Sequence, residues 1–343
     1  MYKIKLSDLD KLYKAISEDY PLYLPIKKAG EVNYGLYGED EEVSLTTLKT
    51  VKSPKDAFFP QSEDLVNFKV DGNKIEVIDV RKEEQPFVVM GVRACDFKAF
   101  DVLDRVFLVD PLDTFYQNKR NAAIVVTNAC TEPEDSCFCK VFGIDASEPS
   151  GDITTFIIGE NLFWRANTEK GNALTEKVKG LFTETDDKIV AEEQKAIREK
   201  INSLPNVNLD LTPFKDEMLD IFNSEKWGKL SEACLGCGAC TFVCPTCQCF
   251  DIRELTKNDG TVSRFRCWDS CMYSDFTKTA GGQPRTTQMQ RYRQRFMHKL
   301  VYYPANNEGV YSCVGCGRCV KSCPMHLNIV KVIKAFDKGG KDE

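Results

Sequence analysis

The chain has 343 residues, 42% apolar and 29% charged, enough to bury a sizeable core in about two domains. A net charge of −6 and a pI near 5.3 speak against a nucleic-acid binder, and no apolar run reaches the length of a membrane span. Sixteen cysteines stand beside only two histidines, His298 and His326, which argues against bis-His haem, a Rieske centre or a His-rich zinc site.

The first residues, Met1 to Asp8, hold no long apolar segment. No signal peptide is expected, and a reducing, anaerobic cytoplasm is the expected setting for so many thiols. Ser7 is placed to cap a helix whose Leu9, Leu12, Tyr13 and Ile16 recur at helical spacing. Tyr20 to Ile26 reads as a strand, and Phe58-Phe59-Pro60 as an apolar loop belonging to the core. Short Val- and Ile-rich strands follow at Ile75 to Val80, Phe87 to Val92 and Ala122 to Thr127. The last two have the continuous apolar character of buried parallel strands. Between them Phe97, Phe100, Leu103 and Phe107 mark a helix over Asp96 to Phe107. The strand–helix–strand order predicts an α/β layer. Thr154 to Ile158 and Leu162 to Trp164 read as a hairpin.

Cys95 follows the first of those two strands. Cys130 follows the second, with Cys137-Phe138-Cys139 a short loop later. Carboxyl ends of neighbouring strands in an open α/β sheet converge on one crevice. Cys95, Cys130, Cys137 and Cys139 are therefore a candidate set for a third iron–sulfur cluster, set against the plainer reading of buried structural cysteines. Residues 1–167 are expected to form this α/β domain, and 168–228 a charged helical linker that includes a helix from Phe214 to Trp227. A second domain is expected over 229–343.

That second domain opens with Cys234-x2-Cys237-x2-Cys240-x3-Cys244-Pro245 and closes with Cys313-x2-Cys316-x2-Cys319-x3-Cys323-Pro324. Both are the run found in two-cluster ferredoxins, in which three cysteines hold one cubane and the fourth reaches across to the other. The rule assigns one [4Fe–4S] cluster to Cys234, Cys237, Cys240 and Cys323, and a second to Cys313, Cys316, Cys319 and Cys244. Structural zinc also takes four thiolates, but its knuckles come as separate C-x2-C pairs, and the third cysteine at the same spacing has no zinc explanation.

The two runs lie 68 residues apart. A helix is expected between them, capped by Thr286 or Thr287, with Met289, Tyr292, Phe296 and Leu300 as its apolar stripe and Arg291, Arg293, Arg295 and Lys299 largely off it. Its cations can face solvent, a cluster or an acidic partner. Residues 230–343 carry 16 basic against 10 acidic side chains, so the remainder carries −12; cations near anionic cubanes are expected. Cys247, Cys249, Cys267 and Cys271 are left over. Cys267 and Cys271 fall one turn apart if Arg266 to Met272 is helical. Packing near the cubanes, or thiol–sulfide hydrogen bonding, is the expected role of these four. The chain has no G-x-G-x-x-G after a strand, no P-loop and no H-E-x-x-H.

Several strings together carry a family resemblance: Gly91-Val-Arg-Ala-Cys-Asp96, Cys137-Phe-Cys139, Cys234 to Phe250, Trp268-Asp-Ser-Cys-Met272, Arg293-Gln-Arg295 with His298-Lys299, and Cys313 to Pro324. They resemble the family that holds the β subunit of soluble sulfhydrogenases and the corresponding iron–sulfur subunit of anaerobic sulfite reductase. The domain around the two runs resembles the α-helical ferredoxin domain of succinate dehydrogenase-type iron–sulfur subunits. The resemblance implies an electron-transfer subunit with two [4Fe–4S] clusters. It implies a partner subunit that binds FAD and NAD(P)H, and a terminal hydrogenase, sulfite reductase or heterodisulfide reductase-like subunit. Cys95, Cys130, Cys137 and Cys139 match family positions. The alternative is a self-sufficient iron–sulfur reductase with flavin bound in the N-terminal domain.

Overall fold

The computed structural model describes residues 1–47 and 49–337. Among these residues twelve strands form two sheets. They are β1 (Tyr2–Lys5), β2 (Leu22–Lys28), β3 (Glu31–Leu36), β4 (Ser62–Asp71), β5 (Lys74–Asp79), β6 (Phe87–Val92), β7 (Ala123–Asn128), β8 (Ile153–Ile158), β9 (Asn161–Ala166), β10 (Thr183–Glu184), β11 (Phe250–Thr256) and β12 (Thr261–Trp268). The larger sheet has the order β10-β1-β9-β8-β7-β6-β2-β3, with parallel pairing across β2, β6, β7 and β8.

β6 and β7 are buried along their whole length. Alternate side chains go to opposite faces, so both faces need apolar residues. Val88, Met90, Ile124 and Val126 join Leu9, Leu12, Tyr13 and Ile16 of α1 (Leu9–Ser17) on one side. Phe87, Val89, Ala123 and Val125 pack with Phe58, Phe59, Phe100 and Leu103 on the other. A bulge at Gly91, where φ is +87°, shifts the register with β7 just before Cys95. Bulges of this kind re-aim the chain beside functional sites.

The expected helix between β6 and β7 runs as α2 (Ala94–Phe107) and is followed by α3 (Thr114–Ala122). The hairpin over 153–166 is present as β8–β9. Three local expectations are corrected. Ser7 caps nothing: α1 starts at Leu9, and Asp8, at its N-cap, makes no side-chain cap bond. The helix over Phe214 to Trp227 is broken into three short ones, Thr212–Asp216, Met218–Asn223 and Lys226–Ser231, because Glu217 leaves the helical conformation and Ser224 is extended. The turn that would have joined Cys267 to Cys271 does not exist: Thr261–Trp268 is strand β12, and the chain leaves it at Asp269.

β12 lies between β11 and β4 in the smaller antiparallel sheet, order β11-β12-β4-β5. Strands on either side of the 168–228 segment therefore pair directly. The join is locked by Arg266 of β12. It is buried, donates to Glu63 of β4 at 2.8 and 2.5 Å, and pairs with Asp113. The expected helix between the cysteine runs spans Gln288–Met297 and carries a complete capping box of Thr287 and Gln290. No helix among the described residues is long and apolar enough to cross a membrane.

Removing one member of a buried ion pair leaves its partners charged and unpaired, at a cost of about 3–5 kcal/mol. Arg266→Met is expected to lower stability to unfolding in urea by an amount in this range. An unchanged midpoint would mean β12 is held against β4 and the Asp113 loop by other contacts.

Candidate iron–sulfur site

Three partly enclosed cavities lie side by side, each walled by cysteines. The first is lined by Cys234, Cys237, Cys240 and Cys323, with Met272, Tyr292, Phe296 and Leu327 as apolar wall. The second is lined by Cys313, Cys316, Cys319 and Cys244, with Phe138, Val314 and Ile329. The third is lined by Cys95, Cys130, Cys137 and Cys139, with Lys49, Arg93 and Ala146. Arg295 borders both the first and the second; Cys316 borders both the second and the third. The first and third share no wall residue among the described residues, so the three stand in series.

Local backbone explains the gathering. Gly236 and Gly238 in the first run, and Gly315 and Gly317 in the second, all have positive φ between 59° and 75°, the conformation glycine adopts without steric cost. It lets each run curl so that its cysteines face inward. The second run has a further need. A Cβ on Gly315 would collide with the Phe138 carbonyl oxygen, and one on Gly317 with the Ser136 carbonyl oxygen. The Phe138 N–H donates to Gly315 O at 2.8 Å. The Cys137–Cys139 loop is thus pressed backbone to backbone against the run that carries Cys316.

On the other side of the third cavity, Cys95 sits in the first turn of α2 and Cys130 just past β7. Beside Cys95, the Asp96 carboxylate accepts from the Arg318 guanidinium at 2.5 and 2.7 Å, and both are buried. Arg318 also donates to Thr50 O at 2.9 Å. Arg93 donates to the carbonyls of Ala129, Leu45 and Thr47.

The electrostatics of the cavities point to an anionic occupant. Six cations are buried among the described residues: Lys55, Arg93, Arg266, Arg295, Lys299 and Arg318. Among the same residues Asp96 is the one carboxylate buried to that degree. Five of the six cations border or adjoin the cysteine cavities. Burying charge without compensation is costly; carboxylates meet Arg266 and Arg318, and the compensation beside Lys55, Arg295 and Lys299 is sulfur. Burial pushes the free thiols up: Cys130 to about 11, Cys139 to about 12, Cys240 and Cys316 to about 11. Burial and then Asp96 push Cys95 well above its ordinary range. In such holes a thiolate forms when a metal supplies the positive charge, releasing the proton as it binds. Four thiols, apolar walls and a rim of cations fit an iron–sulfur cubane, whose all-thiolate form is net anionic. Among the described residues no three His, Cys, Asp or Glu side chains are grouped to chelate a single ion; a cubane does not need that, because each thiolate binds a different iron.

The remaining cysteines divide. The Cys247 thiol donates to Cys244 and lowers it well below the usual thiol range, while Cys247 itself is pushed up. Cys271 lies against Cys249 and is pushed up by that contact first and burial second. Cys267 sits apart, beside Arg253, Asp251 and Asp269. Sequence reasoning missed Lys55, whose buried ammonium donates to Cys247 O at 2.8 Å and Cys244 O at 3.3 Å and lies 3.6 Å from the centre of the Trp268 ring. It lies far ahead of the cysteine runs in the chain, and nothing local marks it. Lys299 donates to Thr246 Oγ1 and Ser312 O, both at 2.8 Å. His298 and His326 line none of the three cavities.

Residues 233–327 match the model of the 4Fe-4S dicluster domain. The chain is also 31% identical over 335 residues to sulfhydrogenase 2 subunit beta of Pyrococcus furiosus, covering 96% of each protein. The chain belongs to the sulfhydrogenase beta-subunit family. Membership makes it an iron–sulfur, electron-transfer subunit holding 4Fe-4S clusters. No solved structure matches it. The family match spans the N-terminal α/β region as well as the dicluster domain, so the Asp96–Arg318 contact joins two parts of one family unit.

Asp96→Asn keeps the shape of that contact and removes its charge. Arg318 then stays buried without a counter-ion, and a loss of about 3 kcal/mol is expected, measured by urea unfolding of the anoxic protein. Wild-type stability would show that Thr50 and the neighbouring thiols suffice to hold Arg318.

Proposed function

We propose that this chain is a relay for single electrons with three [4Fe–4S] sites in series. It connects a partner subunit that binds FAD and NAD(P)H with a terminal redox subunit of the hydrogenase, sulfite reductase or heterodisulfide reductase type, in a reducing cytoplasm. The observation that carries the reading is the adjacency of three four-cysteine cavities, with one wall residue shared at each junction. When bound, such clusters accept and release one electron at a time.

In this reading Cys234, Cys237, Cys240 and Cys323 hold the first cluster. Cys313, Cys316, Cys319 and Cys244 hold the second, and Cys95, Cys130, Cys137 and Cys139 the third. The chain's other residues keep water out and set the energy of each site. Hydrogen bonds to cluster ligands favour the more negative, reduced form. The Leu327 N–H donates to Cys323 Sγ at 3.2 Å, and the Gln288 amide to Cys234 Sγ at 3.5 Å. Cys237 is exposed, whereas Cys95, Cys130, Cys137 and Cys139 are buried. The first site is therefore the one through which a docked partner exchanges electrons most directly. The chain carries no dinucleotide-binding motif of its own, which supports a flavin on a partner. The named relative is, in its own name, one subunit of a larger enzyme, which supports the same division of labour.

Iron and acid-labile sulfide, measured after anoxic purification, are expected at about twelve of each per chain for three cubanes. Cys95→Ala is expected to lower both by about four, with the low-temperature paramagnetic signals of the other two sites retained. Unchanged iron in Cys95→Ala would reduce the relay to two sites, and zinc in place of iron would remove it. Stoichiometric flavin in the isolated chain would favour a self-sufficient reductase.

A further inference from the structure

Arg295 is unlike the other cations of its helix. Arg291 donates to Gln288 Oε1 and Arg285 O, and Arg293 donates to Phe222 O while lying 3.7 Å from the centre of the Phe222 ring. Arg295 is 2% exposed and has no carboxylate partner among the described residues. Its Nη2 donates to Cys240 O at 2.9 Å, but its Nε and Nη1 are buried without any acceptor. A buried guanidinium with two unused N–H edges is costly, and native proteins rarely leave such donors unmet. The same side chain borders the first cavity and the second. Phe296, its ring centre 4.7 Å from the guanidinium carbon, packs against it.

We propose that Arg295 is a shared positioning and tuning residue. It stands between the first and second clusters and donates N–H bonds toward the sulfur of both, so that one cation raises the reduction potential of each. The inference rests on the reading of the first two cavities as cluster sites. The physical argument is short. A guanidinium is planar, permanently charged, and presents five donors in a fixed fork. Reduction adds negative charge to a cluster, and a fixed cation with donors facing it stabilises the reduced form more than the oxidised one. One N–H edge bonded to the Cys240 carbonyl fixes the plane, leaving the other edges for sulfur. The sulfur atoms that face the Arg295 charge include those of Cys240, Cys244 and Cys319. These thiols come from both cysteine runs. Lysine cannot take this role in full, since its ammonium is a point charge that can sit close to one cluster at a time.

The experiment is a redox titration of the full-length chain, purified anoxically and followed by low-temperature electron paramagnetic resonance. Wild type, Arg295→Met and Arg295→Lys are compared, and the third site is identified by its loss in Cys95→Ala. In Arg295→Met the reduced-to-oxidised ratio of the first and second sites at a fixed potential is expected to fall by about tenfold, or about 59 mV for a one-electron couple. Iron content is expected to be unchanged and the third site unmoved. Arg295→Lys is expected to restore one of the two sites and leave the other shifted. The proposal is overturned if Arg295→Met keeps its iron and both potentials stay at wild-type values, or if all three sites shift alike. It is also overturned if Arg295→Met and Arg295→Lys both lose iron, which would make the residue a structural support. Failure of the underlying reading is a different result: wild type itself without iron or a paramagnetic signal.

Discussion

The buried pair of Asp96 and Arg318 fixes the relation between the two halves of the molecule. Asp96 is the residue after Cys95 at the start of α2, and Arg318 lies between Cys316 and Cys319 in the second cysteine run. Two parallel N–H···O bonds at 2.5 and 2.7 Å leave the pair little rotational freedom. A carboxylate held by the α/β sheet is thereby tied to a cation held by the dicluster domain. The Phe138–Gly315 backbone bond and the close approach of Ser136 to Gly317 complete the contact. Substitution by apolar residues of similar volume would often be as stable as a buried ion pair, but it would not specify orientation. Here orientation matters, because Cys316 borders two cavities and a small rotation would separate them.

The same economy of charge runs through the interior. Buried cations outnumber buried carboxylates among the described residues, and that arrangement is unstable unless something anionic sits with them. The chain's overall negative charge does not supply it, since the acidic side chains lie mainly at the surface. Thiolates bound to iron do. Folding and cluster insertion are therefore coupled in both directions: the cations need the sulfur, and the buried sulfur needs metal to lose its protons. Part of the basic surplus of residues 230–343 is therefore internal and not a solvated patch. Arg295, Lys299 and Arg318 are buried, and each adjoins the cysteine runs.

What the sequence made legible follows the strength of its local signals. β6 and β7 are apolar at almost every position, and only a strand covered on both faces reads that way. The cysteines that border each cavity are grouped by spacing in the two ferredoxin-type runs, and by strand ends in the case of Cys95 and Cys130. The β11–β12 hairpin went unseen because its alternation is blurred by charge: Asp251, Arg253, Glu254 and Arg264 stand beside exposed Ile252 and Leu255. Its turn carries Asp259-Gly260, which is a hairpin signal when strands flank it. The helical spacing of Cys267 and Cys271 competed with that signal and lost, because strand pairing to β4 stabilises the extended form from Thr261 to Cys267. Lys55 was invisible for a different reason. Its partners are backbone carbonyls of a loop distant in sequence, and no local pattern encodes such a contact.

The surface of the smaller sheet contrasts with this interior. The parts that define the series of cavities are interior: glycine curls, buried cations and strand ends. The smaller sheet projects from this interior, with Ile75, Val77, Ile252 and Leu255 all more than half exposed. Interior residues constrain one another through packing and charge, so a change of volume or charge at one is felt by its neighbours. Surface residues of an edge strand carry no such constraint. The energetic cost of misplacing a thiol therefore falls on the buried cations beside it.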